Sequence, residues 1–353
     1  MRKPTARPTV RWRRLSFWSW LNLAGLGVLW ALENGVAERT GPTTLLLYLP
    51  QHPFLLGCAG LLTWALVKKQ RPWAAFNGAV LLVFAVILLG VHLPWARLQS
   101  APVGATRVRV MQWNIHLAGG GPEAIARQIK ALNPDIVCLE EATGEFHNGV
   151  LVDHIPALLK QFDGWHIVRA SEVITLSRFP LLKQQTYQHP APSPRQVLRT
   201  AWQTPGGPLD VIAAHISTTA PGTHYGNLSP ADPRRIVEIV QNARASAQAR
   251  ARQLPTIDRA IYDAAATGHP FVLMGDFNNP PRGLFYRHLR ARMTDSFTVA
   301  GLGCGFSFPA KLPLLRIDYV WLGRGVSARR SFTVPTRASD HRALVSDVDV
   351  TWN

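Results

Sequence analysis

The sequence predicts a mixed α/β domain of about 245 residues carried behind an apolar, helical N-terminal region. Three observations predict it. From Arg107 to Asn353, short apolar runs alternate with helix-like segments. Before that, three long apolar blocks follow one another with short polar joints. Several of the later apolar runs stop abruptly at a carboxylate, carboxamide or imidazole, most sharply in Val272-Leu273-Met274-Gly275-Asp276-Phe277-Asn278.

The chain has 353 residues and a formal net charge of +17, unevenly placed. Arg2, Lys3, Arg7, Arg11, Arg13 and Arg14 precede the first apolar block with no acid among them. The blocks run over residues 17–37, 44–67 and 73–95, and a bilayer span needs about 20 mainly apolar residues. The first and third blocks suffice. The second does so only if Gln51-His52-Pro53 lies at the interface. No small-residue cleavage site follows the first block, which argues against a removed signal peptide. The basic leader and Lys68-Lys69-Gln70-Arg71 belong on the cytoplasmic side, and the joint at Glu38-Arg39 on the other. Three spans then put a linker (99–106) and the domain (107–353) outside the cytoplasm, behind an N-terminal region of 98 residues. Cys58, Cys138 and Cys304 fit no zinc spacing and read as small buried hydrophobes.

Within the domain, Arg107–Asn114 reads as a strand, Pro122–Leu132 as a helix ended by Asn133-Pro134, and Asp135–Glu140 as an apolar strand. A helix over His154–Phe162 precedes strands at His166–Ala170 and Glu172–Ser177. Strands follow at Val197–Thr200 and Leu209–Ile216. A long loop over Ser217–Pro233 leads to a helical region over Pro233–Asp263, interrupted at Pro255. The last strands are Phe271–Met274, Ile317–Trp321 and Ala343–Val350. Residues 104–353 hold 27 Lys/Arg and 19 Asp/Glu, a net of +8. Much of the excess lies in Arg234, Arg235, Arg244, Arg250, Arg252 and Arg259 on the long helix, a face that suits phosphates, anionic lipid or simply solvent.

Residues at i and i+2 of an extended chain point the same way, so Asp276 and Asn278 can face one reacting atom. Hard cations and phosphate chemistry both call for oxygen ligands and a positioned water. A Gly-Asp-x-Asn alone is equally a turn in which Asp bonds local backbone. The company is what weighs: Asn114, Glu141, His215, Asp318 and the pair Asp340-His341 also stand at or beside strand ends.

This series resembles the endonuclease/exonuclease/phosphatase superfamily. It does so through Trp113-Asn114, Pro134-Asp135-Ile136-Val137-Cys138-Leu139-Glu140-Glu141, Ser177-Arg178-Phe179-Pro180, His215, Gly275-Asp276-Phe277-Asn278, Ile317-Asp318-Tyr319-Val320 and Ser339-Asp340-His341. The N-terminal region looks like that of a bacterial, membrane-anchored subgroup. The resemblance implies a four-layer α/β/β/α sandwich of two packed mixed β-sheets flanked by helices. It implies Glu141 as the main Mg2+ ligand (Mn2+ being the alternative), with Asn114 and Asp340 close to the metal. Asp276 would orient or deprotonate the attacking water, and Asn278 would hold that water or the phosphate. His341, oriented by Asp318, would contact the scissile phosphate, and His215 would be a second phosphate contact or acid. Arg178 and Tyr225, the latter in the loop after His215, would contact substrate. Glu140 departs from the family pattern, which commonly has Gln there. The expected activity is that of a membrane-anchored metal-dependent phosphodiesterase in a bacterial cell membrane. Nucleic acid is the favoured substrate, a phospholipid or sphingolipid headgroup the alternative, and a catalytically silent phosphate- or partner-binding domain the reading from another class. No obligate protein partner is expected.

Overall fold

The computed structural model describes residues 10–148, 150–191, 193–218 and 234–352. In chain order the strands are β1 (Thr106–Asn114), β2 (Ile136–Glu140), β3 (Glu145–His147), β4 (Val150–Val152), β5 (His166–Ala170), β6 (Val173–Ser177), β7 (Leu181–Gln188), β8 (Gln196–Thr204), β9 (Gly207–His215), β10 (Phe271–Asp276), β11 (Thr294–Asp295), β12 (Asp318–Leu322), β13 (Val326–Val334) and β14 (Ala343–Val350). The α-helices are α1 (Val10–Ala31), α2 (Gly41–Tyr48), α3 (His52–Val67), α4 (Arg71–Leu89), α5 (Pro122–Leu132), α6 (Ile155–Leu159), α7 (Arg234–Ala266), α8 (Leu284–Arg290) and α9 (Ser296–Ala300).

Two six-stranded mixed sheets, ordered β13-β14-β1-β2-β6-β5 and β11-β12-β10-β9-β8-β7, pack face to face. Each has one parallel pair at its centre, β1 with β2 and β9 with β10. Side-chain alternation builds the layers. Val110, Ile136, Val211, Val272 and Val320 point between the sheets. Met111, Trp113, Val137 and Leu139 point outward under α5 and α6. Ile212, Leu273, Tyr319 and Trp321 point outward under α7 and α8. This is the expected four-layer sandwich.

The same alternation makes the inter-sheet layer polar at one end. Gln112 and Asn114 follow Val108 and Val110; Glu140 follows Ile136 and Cys138; His215 follows Val211 and Ala213; Asp276 follows Val272 and Met274. Antiparallel β12 begins with Asp318 at that end, before Val320 and Leu322.

Some elements differ from the sequence reading. Helix α7 runs unbroken through Pro255. Pro255 forgoes one backbone bond, but Leu254, Ile257, Ala260 and Ala264 pack on the second sheet and hold the helix together. The helix expected over His154–Phe162 is only α6. Strands β7 and β13 were not legible: both lie at sheet edges, and their residues lack a clean apolar alternation.

In the N-terminal region, Arg14–Arg39 and Arg71–Leu89 are long and apolar enough to cross a membrane. Helices α2 and α3 form a pair bent by 66° at the Gln51 break and reach that standard only as one span. Helices α1, α3 and α4 share a small apolar core that includes Leu26, Leu29, Leu55, Val80 and Phe84. Helix α2 packs Leu46 against this cluster and also reaches the domain. A Cβ on Gly41 would lie 2.3 Å from the carbonyl oxygen of Val240 in α7, so the approach needs glycine.

Candidate active site

The polar end of the inter-sheet layer brings Asn114, Glu141, His215, Asp276, Asn278, Asp318 and His341 into one cleft. Asp276 is its centre. Gly275 must precede it, because a Cβ there would sit 1.8 Å from the carbonyl oxygen of Ala214 in neighbouring β9. The backbone N–H of Asn278 donates to Asp276 Oδ1 at 2.8 Å, an Asx turn that Asn278 closes with φ +46°. Asp276 thus does both things its motif suggested: Oδ1 holds the turn, and Oδ2 faces the cleft. Asn114 Nδ2 donates to Oδ2 at 3.1 Å, and Asn278 Nδ2 lies 3.3 Å from it. His215 Nε2 and His341 Nε2 each lie 3.7 Å from Oδ2.

Both imidazoles are oriented by a carboxylate on the far nitrogen. His341 Nδ1 bonds Asp318 Oδ2 at 2.9 Å, and His215 Nδ1 bonds Glu172 Oε1 at 2.9 Å. Burial alone would lower the His341 pKa. The charges of Asp318 and Asp276 and the Asp318 hydrogen bond outweigh it and push it up to about 10. Burial, reinforced by the Asp318 charge, pushes Asp276 up to about 6 against the opposing pull of His341 and His215. Glu172 is held below the usual carboxylate range: burial would raise it, but His215 and Arg195, whose Nε lies 2.6 Å away, overcome that.

At the cleft mouth, Glu141 follows β2 with φ +51°, a left-handed conformation costing about 1–2 kcal/mol in a non-glycine residue. Asn114 Nδ2 donates to Glu141 Oε1 at 3.1 Å. Glu141 Oε2 and Asp340 Oδ2 each lie 3.7 Å from His116 Nδ1, so the two half-exposed carboxylates converge on one place. These hard oxygen donors fit a small divalent cation. Asp276, Asp318 and His341 also gather their ligand atoms within 4.8 Å of one another. A protonated imidazole offers no lone pair, so this buried trio is better suited to moving protons than to holding metal.

Glu140 points inward, fully buried. Gln112 Nε2 bridges it at 2.8 Å to Asp318 Oδ1, also 2.8 Å away. Burial, with the charges of Asp318 and Asp276, raises its pKa well above the usual carboxylate range.

One expected substrate contact does not join this cleft. Arg178 follows the far end of β6, six residues beyond Glu172 and so about 20 Å along the strand. There it bonds Asn133 Oδ1 at 2.5 Å and stacks on Trp165 at 5.0 Å, which makes it a fold residue. Tyr225 lies outside the described residues, as does most of the loop over 217–233. Arg250, one of the basic residues of the long helix, is buried and ion-paired with Glu38 at 2.6 Å.

The N-terminal region reaches the site itself. Tyr48 Oη, at the end of α2, donates to the backbone carbonyl of Asn278. Glu38 Oε2 accepts from Asn279 Nδ2 and from Leu284 N, each at 2.8 Å, while Oε1 takes Arg250 Nη2. His52, opening α3, packs edge-on to Phe306 at 5.5 Å, in the loop whose Phe308 lies 4.7 Å from the His341 ring. Sequence reasoning missed Glu172, Gln112, His116, Glu38 and Tyr48. Only Glu38, an acid in the short polar joint after the first apolar block, carried any local signal.

Residues 111–341 match the Endonuclease/Exonuclease/phosphatase family, and the chain belongs to it. Members are phosphoester hydrolases and are typically dependent on a divalent metal. Among solved structures, a humanized D. rerio TDP2 is similar at 15% identity and TM-score 0.53, covering 69% of this chain and 98% of that one. The human Nocturnin catalytic domain with bound sulfate anion is similar at 17% identity and TM-score 0.50, covering 73% and 100%. A functionally unknown conserved protein from Enterococcus faecalis is similar at 15% identity and TM-score 0.50, covering 69% and 100%. At these identities the likeness is one of fold. No curated protein matches the sequence.

Proposed function

We propose that the chain is a membrane-anchored phosphodiesterase that cleaves lipid-headgroup phosphoesters outside the cytoplasm, at the bilayer surface. One observation carries the substrate class: Tyr48 and His52, flanking the turn between α2 and α3, touch the two loops that bear Asn278 and Phe308. These contacts support a cleft beside the ends of the apolar helices, which is headgroup level when those helices span a bilayer. Exposed Phe146 (71%) and Leu151 (55%) on the β3–β4 hairpin, just after Glu141, add apolar surface by the mouth. Against this, the case for nucleic acid loses Arg250 to its buried ion pair.

Asp276 Oδ2 is the base that holds and deprotonates the attacking water, with Asn114 and Asn278 fixing its orientation. His341, kept protonated by Asp318, donates its Nε2 proton toward the phosphate as charge gathers there. His215, steered by Glu172, presents Nε2 from the second sheet to the same oxygens or to the leaving group. Glu141, with Asn114 and Asp340, would hold the divalent ion, which when bound neutralises phosphate charge.

The test is hydrolysis by the full chain in detergent, presented with phosphatidylglycerol, sphingomyelin, phosphoinositide, DNA and RNA, with Mg2+ and with chelator. Cleavage confined to the lipids is expected. Cleavage of nucleic acid alone would restore the nuclease reading.

A further inference from the structure

A second polar site lies where the apolar helices meet the domain. A cavity of about 550 Å3 opens there, in the size range of small-ligand sites. Trp30 of α1 and Val86 and Ile87 of α4 form its apolar wall, and Arg282, Arg287, Arg290 and Arg316 face them. Two of these cations are neutralised within the protein: Arg282 Nε lies 2.6 Å from Glu33 Oε2, and Arg316 Nη1 lies 2.5 Å from Asp295 Oδ2. Arg287 and Arg290 face no carboxylate among the described ion pairs. Arg287 donates to the Asn34 carbonyl and keeps a buried Nε–H with no partner, while Arg290 is exposed. Two positive charges are thus left over on one wall of a cavity whose other wall is hydrocarbon.

The level of the cavity is set by the helices. Arg282 Nη1 bonds the carbonyl of Leu88 at 2.7 Å, in the last turn of α4, and Arg287 bonds Asn34, just past α1. Trp30, Val86 and Ile87 are 46%, 49% and 38% exposed, as residues against acyl chains would be. From the geometry we infer that this cavity binds an acidic phospholipid, its phosphate on Arg287 and Arg290 and its chains along Trp30, Val86 and Ile87. The bound lipid is a structural ligand that seats the domain on the bilayer, separate from the substrate in the Asp276 cleft. The inference rests on the reading that α1 and α4 cross the membrane.

Each guanidinium near an anionic headgroup contributes about a fivefold preference, so about 30-fold is expected for the two. The experiment uses the full chain in neutral detergent with chelator, so that no lipid is turned over. Retention of phosphatidylglycerol, phosphatidylcholine and glycerol 3-phosphate is read by native mass spectrometry. Phosphatidylglycerol should be retained about 30-fold over phosphatidylcholine. Arg287→Gln/Arg290→Gln should abolish the preference, and Arg290→Glu, at an exposed position that leaves the Asn34 bond intact, should weaken it at least about fivefold. Equal retention of phosphatidylcholine, equal retention of glycerol 3-phosphate, or a preference that survives both variants overturns the inference. Sedimentation with vesicles separates the two levels. A chain that ignores vesicles sinks the anchoring reading and this inference together, whereas one that sediments without acidic-lipid preference sinks this inference alone.

Discussion

Asp276 and His341 are neighbours whose surroundings push both pKa values up, to about 6 and about 10. The base works deprotonated and the imidazole works protonated, so hydrolysis should fall as pH drops through about 6 and fall again as it rises through about 10. A pH–rate profile flat across pH 5–7 would contradict the assignment of Asp276. The His341–Asp318 pair adds stability of matching sign. The His pKa is raised in the fold, so the contribution is full below about 6.5 and is lost as pH rises to about 10. Glu172→Gln keeps the shape but removes the charge that orients His215. It should lower kcat by about tenfold to a hundredfold with KM little changed, as measured by steady-state kinetics. At this scale the sequence was informative wherever a polar residue ends an apolar run, as with Asp276 and His215. Glu172 was illegible because its meaning lies in a contact with His215, 43 residues away, and Glu172 itself merely opens a strand. Arg178 misled for the converse reason: its motif sits in a strand whose other end meets the site.

The segment from Glu33 to Tyr48 ties the apolar helices to the site. It binds the Asn278–Leu284 loop through Glu38 and Tyr48 and closes over α7 through Gly41 and Arg250. Glu38→Ala would strand the Arg250 guanidinium in the interior. It should destabilise the chain by about 3–5 kcal/mol, visible as a lowered Tm in detergent. Tyr48→Phe removes one hydrogen bond at the surface of the site loop. It should cut kcat by up to about tenfold while Tm stays within a few degrees. An unchanged kcat would show that Asn278 holds its left-handed turn without help from α2. The apolar blocks themselves were plain from composition. That α2 contacts α7 was not, because the block that begins at Thr44 reads as the start of a span and the contact at Gly41 is with a residue 199 positions away. Edge strands β7 and β13 escaped for a similar reason: solvent on one side erases the alternation that marks a buried strand.

Across the whole molecule, two sheets meet with their parallel pairs side by side, so that β1 and β2 face β9 and β10 and all four end at one cleft. Asn114, Glu141 and Asp340 come from the first sheet and its loops, Asp276 from the second, and one imidazole from each side. Such a site forms only when the sandwich closes, and in this chain Glu38 and Tyr48 of the segment before it bond the loop that carries Asn278. The central claim is that this cleft hydrolyses phosphoesters through Asp276. The most direct test is the rate at which the full chain, in detergent, cleaves a simple aryl phosphodiester with Mg2+, with chelator, and as Asp276→Asn. Metal-dependent turnover is expected, falling by about a thousandfold in the variant while its circular dichroism is unchanged. Turnover that persists in folded Asp276→Asn, or that is indifferent to chelator, would contradict it.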